Sequence, residues 1–149
     1  MQIRFRGFTF DPRTIAMIKW AEKRAKFTFT IKQGSYHPGV GASAGTHDGG
    51  GAVDFAPPAD PVQRETMLIA LKDAGFAAWH RAPLANVWGE HIHAVAFGCK
   101  DLATVARHQL VAFDNGHDGL KDNGPDDHSY RPEPPVTFSL PLLKPIKRK

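Results

Sequence analysis

The sequence predicts a small α+β domain with a mainly antiparallel sheet and helices packed on one side. Three observations carry this expectation. Short β-branched and aromatic segments, such as Phe27-Thr28-Phe29-Thr30-Ile31 and Ala52-Val53-Asp54-Phe55, have the length and alternation of strands. Two Asp-Pro pairs, Asp11-Pro12 and Asp60-Pro61, each precede apolar residues at helical spacing. Between them, His37 to Gly51 is rich in Gly, Ser and Pro and has no periodicity, which marks a long loop. A loop of that length inside a compact domain is more often functional than idle.

Along the chain, residues 2–10 alternate, with Ile3, Phe5 and Phe8 or Phe10 inward, and predict a short strand or extended arm. Asp11 as N-cap and Pro12 as first helical residue start a helix over about 12–26. Its buried stripe is Ile15, Ile18, Ala21 or Glu22, and Ala25, with Trp20 beside it. A strand over 27–31 then delivers Gln33-Gly34-Ser35-Tyr36 to its end. After the 37–51 loop, a strand over 51–56 turns Asp54 to the face opposite Val53 and Phe55. An unpaired carboxylate on such an apolar strand is costly to bury, so Asp54 needs a partner, for which a cation is the natural choice.

The second Asp-Pro signal predicts a helix over 62–74, with Leu68, Leu71 and Met67 or Ile69 packing on the sheet and Gly75 at the C-terminal cap position. Phe76–His80 reads as a strand, and the loop 81–89 leads into another over 90–97. There His91, His93, Val95 and Phe97 alternate with Ile92, Ala94 and Ala96. A third helix, capped by Asp101 or the residues just before it, runs to about Phe113. Beyond it Asn, Asp, Gly and Pro dominate, so the domain is expected over 1–115, followed by an irregular, partly mobile 116–149 extension with a basic tail.

Composition narrows the function classes. The 149 residues are the size of one domain. No apolar run approaches the roughly 20 residues that span a bilayer, so no membrane insertion is expected. The first residues lack a signal-peptide apolar core, which predicts synthesis in the cytoplasm. The single Cys99 makes no internal disulfide and reads as a small, partly buried apolar side chain. The net charge of +4 is concentrated at the end: Lys144, Lys147, Arg148 and Lys149 hold four of 19 positive charges, and the other 15 balance 15 acids. A nucleic-acid binder would rest on that tail alone, so no nucleic-acid partner is expected; a monomer is.

Two motifs carry the chemistry. The first is His47-x-x-Gly50-x-Ala52-x-Asp54; the second, Glu90-x-x-His93, also contains His91-Ile92-His93. His and Asp suit divalent zinc, which in catalytic sites takes three protein ligands and keeps the fourth position for water. His47, Asp54 and His93 are the predicted ligands. Seven positions separate His47 from Asp54, enough to turn the chain back through Gly49-Gly50-Gly51. His91 and His93 project to one face of a strand. Glu90 reaches the metal only if that strand begins at or after it.

Zinc acidifies bound water and polarises a carbonyl, while a carboxylate or imidazole moves the proton. Glu90 is the predicted base, and His91 is placed beside the bound water or substrate. Gln33 and His91 are candidate oxyanion donors, ahead of Lys32. His80 is a candidate cleft-rim residue and Trp88 a wall or core residue. His37, His108, His117 and His128 read as exposed histidines. The stretch Asp114-x-Gly116-x-Asp118-Gly119 does not make an EF-hand, because the twelfth position is Pro125 rather than Glu.

These motifs resemble the zinc signature of the D-alanyl-D-alanine carboxypeptidase family, which includes phage L-alanyl-D-glutamate endopeptidases. The His-x-His form is similar to the wider superfamily that holds murein endopeptidases and the hedgehog signalling domain. The resemblance spans roughly residues 28–97. Gln33-Gly34-Ser35-Tyr36 followed by Ser43-Ala-Gly-Thr-His-Asp-Gly-Gly-Gly51 looks like an actinobacterial or actinophage variant. It implies zinc on the open face of the sheet, His47, Asp54 and His93 as ligands, Glu90 as general base, and a peptidoglycan stem peptide as substrate. It also implies action at the bacterial wall, after release as a lysis enzyme or as part of a virion. The chain departs from the family at Gly45, usually Ser; at Ile92, often aromatic; and at Lys32 and Gln33, where an Arg is usual. The competing expectation is a non-catalytic, zinc-stabilised module that binds cell wall or a protein.

Overall fold

Both Asp-Pro pairs start helices in the computed structural model, which describes all 149 residues. Asp11 caps α1 (Pro12–Ala25) by accepting the Thr14 N–H at 2.9 Å. Asp60 caps α2 (Pro61–Ala74) through the Val62 N–H at 3.0 Å. At its C-terminal end α2 stops on Gly75, whose φ of 104° is open to glycine and strained for other residues. Before α1, the alternating N-terminal residues form a hairpin rather than one arm. Strands β1 (Ile3–Phe5) and β2 (Phe8–Phe10) are joined through Arg6 and Gly7, both at positive φ.

The central sheet contains β3 (Thr30–Gln33), β4 (Ala52–Ala56), β5 (Phe76–Arg81) and β6 (His91–Ala96). It is antiparallel throughout, in the order β3-β4-β6-β5. The protein is therefore α+β, as expected. On one face Val53, Phe55, Ala78, Ile92 and Ala94 are fully buried in the main core. Helix α2 packs against β5 and against α1, whose stripe of Ile15, Ile18, Ala21 and Ala25 is buried as predicted. The expectation of helices on one side only is corrected by the third helix, α3 (Thr104–Asp114), which meets the other face: Phe113 sits edge-on to Trp79, with ring centroids 5.6 Å apart. Asp101 does not cap α3, whose N-cap is Ala103; it accepts the Tyr36 hydroxyl at 2.9 Å instead.

Register places the site. Gln33 pairs with Asp54, Asp54 with His93, and His93 with Trp79, so one row crosses all four strands. Gln33 reaches this row through an irregularity between Ile31 and Gln33. Residues two apart on a regular strand share a face; here Ile31 sits opposite the core residue Phe55 while Gln33 sits opposite Asp54. An extra residue in one strand re-aims the side chain that follows it.

The C-terminal region corrects the sequence expectation. Residues 136–147 hold a hairpin, β7 (Val136–Ser139) with β8 (Lys144–Lys147), where an irregular, partly mobile tail was expected. Phe138 is buried at 3 % exposure, and Arg13 donates to the Phe138 carbonyl at 2.8 Å and the Phe97 carbonyl at 2.6 Å. Within the basic tail, Arg148 makes two 2.9 Å bonds to Asp114 and lies over the Phe97 ring. The preceding stretch is irregular but anchored: the buried Lys72 amine donates to the His128 and Tyr130 carbonyls at 3.2 and 3.1 Å. Proline and charge masked these contacts in the sequence. No helix is long and apolar enough to cross a membrane.

Candidate metal centre

His47, Asp54 and His93 are brought together by two different devices. Asp54 and His93 are cross-strand partners on β4 and β6. His47 comes from the glycine-rich loop, and its path is set by close backbone packing. A Cβ on Gly49 would lie 2.2 Å from the Asp101 carbonyl oxygen, and Gly51 is at φ +79° against Cys99 and Leu102. Thus the loop is glycine-rich for close approach at Gly49 and for a left-handed backbone at Gly51. The ligand atoms of the three residues all lie within 4.8 Å of one another. His47 and His93 are 1 % and 5 % exposed.

The hydrogen bonds fix which imidazole nitrogens face inward. His47 Nδ1 lies 2.8 Å from the Gly34 carbonyl, which can only accept, so Nδ1 carries the proton and Nε2 the lone pair. That Nε2 is 3.2 Å from Asp54 Oδ1. His93 Nε2 lies 2.8 Å from Gln109 Oε1, and the Gln109 amide is oriented by donating Nε2–H to the Gly119 carbonyl. His93 therefore protonates Nε2 and turns its Nδ1 lone pair to Asp54 Oδ1, 2.7 Å away. Two imidazole lone pairs and one carboxylate oxygen converge on one point. Such a set is mutually repulsive until a cation joins it.

Electrostatics agree with this donor set. Burial lowers the His93 pKa, which favours the neutral imidazole that can offer a lone pair to a cation. The buried His47-Asp54-His93 group can hold a metal ion. The Gly34 carbonyl and the Gln109 amide then act as the outer partners that orient ligating imidazoles.

A cavity of about 810 Å³ opens onto the triad. Gln33 and His91 line it, as do Lys32 and Trp88. Gln33 accepts from Ser43 at 3.2 Å, and its Nε2–H group is buried without a partner. Glu90 is not brought in. Strand β6 begins at His91, and Glu90 Oε2 lies 3.0 Å from His80 Nε2. His80 pairs in register with the core-facing Ile92, so this pair sits across the sheet from His91 and His93. The same contact takes His80 away from the cavity rim. His37 and His108 are exposed as expected. His117 is half-buried, and His128 is drawn in by Lys72 and by Glu65 at 2.8 Å.

Three contributions were not foreseen. Trp79 stacks on His93 at 6.1 Å between centroids. Gln109 stands in the buried stripe of α3 with Ala106, Ala112 and Phe113, and a lone amide in such a stripe is a legible signal of a buried polar partner. Arg81 and the stretch Asp118–Asp122 wall the cavity. The region beyond residue 115 thus contributes to the site. No protein family, characterised protein or solved structure matches the chain.

Proposed function

We propose that the chain is a zinc-dependent peptidase whose substrate is a peptidoglycan stem peptide. The observation that carries this reading is the convergence of His47 Nε2, Asp54 Oδ1 and His93 Nδ1 beside a cavity also lined by His91 and Gln33. Zinc is favoured among divalent ions by two imidazoles and one carboxylate with room for a fourth ligand. When bound, it supplies Lewis-acid chemistry, acidifying a water and polarising the scissile carbonyl. The substrate class rests on the resemblance of the two motifs to wall peptidases, as does action at the bacterial wall in the manner of a phage lysis enzyme.

The chain's own residues then divide the remaining work. Of the two candidate bases, His91 has the supporting geometry. It shares a strand face with His93, and its Nδ1–H donates to the Gly89 carbonyl at 2.8 Å, which leaves Nε2 as a free proton acceptor. Glu90 would first have to leave His80. The unpartnered Gln33 amide supplies a donor for charge developing on the carbonyl oxygen.

The test is release of new amino termini from purified peptidoglycan, with and without chelator and after zinc readdition. Chelator-sensitive release restored by zinc is the expected result. His91→Ala should lose about 10²- to 10⁴-fold in rate, and Glu90→Gln should stay within a few-fold. The reverse order would return the base to Glu90. The withdrawal of Glu90 to His80 is the observation that favours a second reading, a zinc-stabilised binding module. Stoichiometric zinc without cleavage of any wall type would select it.

A further inference from the structure

Arg81 is 5 % exposed and forms no ion pair with any carboxylate. Its Nη1 donates to the Asp118 carbonyl, and its guanidinium lies 4.8 Å from the Trp79 ring centroid. Nη2 is buried with no hydrogen-bond partner. Asp118, Asp126, Asp54 and Asp127 act on it only through space, so the guanidinium has nearby negative charge but no direct carboxylate partner. Burial lowers the Arg81 pKa only to about 10, so the group stays cationic at neutral pH.

The position is equally specific. Arg81 pairs with His91 in register and lies two residues beyond Trp79, the stacking partner of His93. Two residues along a strand span about 7 Å, which is also about the reach of two extended peptide residues. The cavity wall carries Lys32, Arg81 and Lys121 against Asp54, Asp118 and Asp122, so a divalent ion on the triad leaves it net positive. Of the three buried side-chain nitrogens without partners in the protein, two, on Gln33 and Arg81, belong to residues that line this cavity.

We propose that Arg81 is a specificity-determining residue that receives a substrate carboxylate one to two residues from the scissile amide, so that the site selects acidic over amidated peptides. This rests on the peptidase reading for its substrate but on Arg81's own surroundings for the anion. Asp118, whose main chain holds Arg81 and whose side chain accepts the Leu120 N–H at 2.9 Å, lies on the same wall. A ligand carboxylate at the cavity-lining edge of Arg81 supplies the direct ion pair that the protein does not.

The test is calorimetric titration of the full chain, metal-free and zinc-loaded, with two acetylated dipeptides that differ only in a free carboxylate against a carboxamide. Charge-assisted bonds are about twice as strong as neutral ones, so the acid should bind about tenfold tighter, in the metal-free protein as well. Arg81→Gln should bring that ratio to about one, and Arg81→Lys, which keeps charge but not the planar fork, to an intermediate value. If Arg81→Gln fails to fold, the Arg81→Lys ratio decides. An acid-to-amide ratio unchanged by these substitutions, or equal binding of the pair to the wild type, overturns the proposal. Intact acid preference without hydrolysis would sink the peptidase and leave the anion subsite. Hydrolysis indifferent to the carboxylate would do the opposite.

Discussion

Replacing Asp54 with Asn separates the metal site from an ordinary buried ion pair, because the two readings predict opposite signs in the metal-free protein. Asp54 Oδ1 stands 2.7 Å from His93 Nδ1 and 3.2 Å from His47 Nε2, both of which point lone pairs at it. Asparagine is nearly isosteric and has an N–H that one of those lone pairs can accept. Without metal, Asp54→Asn should therefore be as stable as the wild type or more stable by about 1 kcal/mol, the worth of one hydrogen bond. With zinc the order reverses. At a free concentration about 100 times its dissociation constant, zinc stabilises the native state by about 2.7 kcal/mol. For a chain of this size that is a rise of about 5 to 11 °C in Tm. The variant lacks the one anionic ligand, so its rise should fall below about 2 °C. Differential scanning calorimetry at neutral pH, with and without buffered zinc, reads both numbers. A metal-free variant destabilised by about 3 to 5 kcal/mol, the cost of breaking a buried ion pair, would refute the reasoning, as would a wild type whose Tm ignores zinc.

Three further outcomes follow from individual contacts. Gln109→Ala removes the acceptor that fixes the His93 tautomer and should weaken zinc binding about 10- to 100-fold, measured by competition with a chromogenic chelator. Phe138→Ala should cost about 3 to 5 kcal/mol in urea unfolding, because this side chain is 3 % exposed; a change under about 1 kcal/mol would detach the 136–147 hairpin from the core. Burial lowers the Lys72 pKa from 10.5 to about 8, so between those values the unfolded chain binds more protons than the native one. Stability should then rise as pH climbs from about 8 to 10.5, by on the order of 3 kcal/mol. Lys72→Met should flatten that limb of the urea-unfolding profile.

What the sequence by itself determined is whatever depends on near neighbours. The helix starts follow from Asp-Pro, whose side chain and fixed φ act within one turn, and α1 and α2 begin where those pairs stand. Strand alternation separates Asp54 from Val53 and Phe55, and the joint spacing of the two motifs singles out His47, Asp54 and His93, which the fold brings within ligand distance. Pairing across the chain is a different matter, since it depends on which surfaces meet rather than on local preference. The start of β6 at His91 turned Glu90 toward His80 and left His91 facing the cavity. A single extra residue in β3 put Gln33 in the row of Asp54. Gln109, Arg81 and the 118–122 wall entered the site from segments distant in sequence, and β7 and β8 formed because Phe138 and the Arg13 guanidinium had partners that only the folded chain supplies. Local rules fix which residues can be ligands; tertiary packing fixes the proton each ligand carries and the groups that stand beside it.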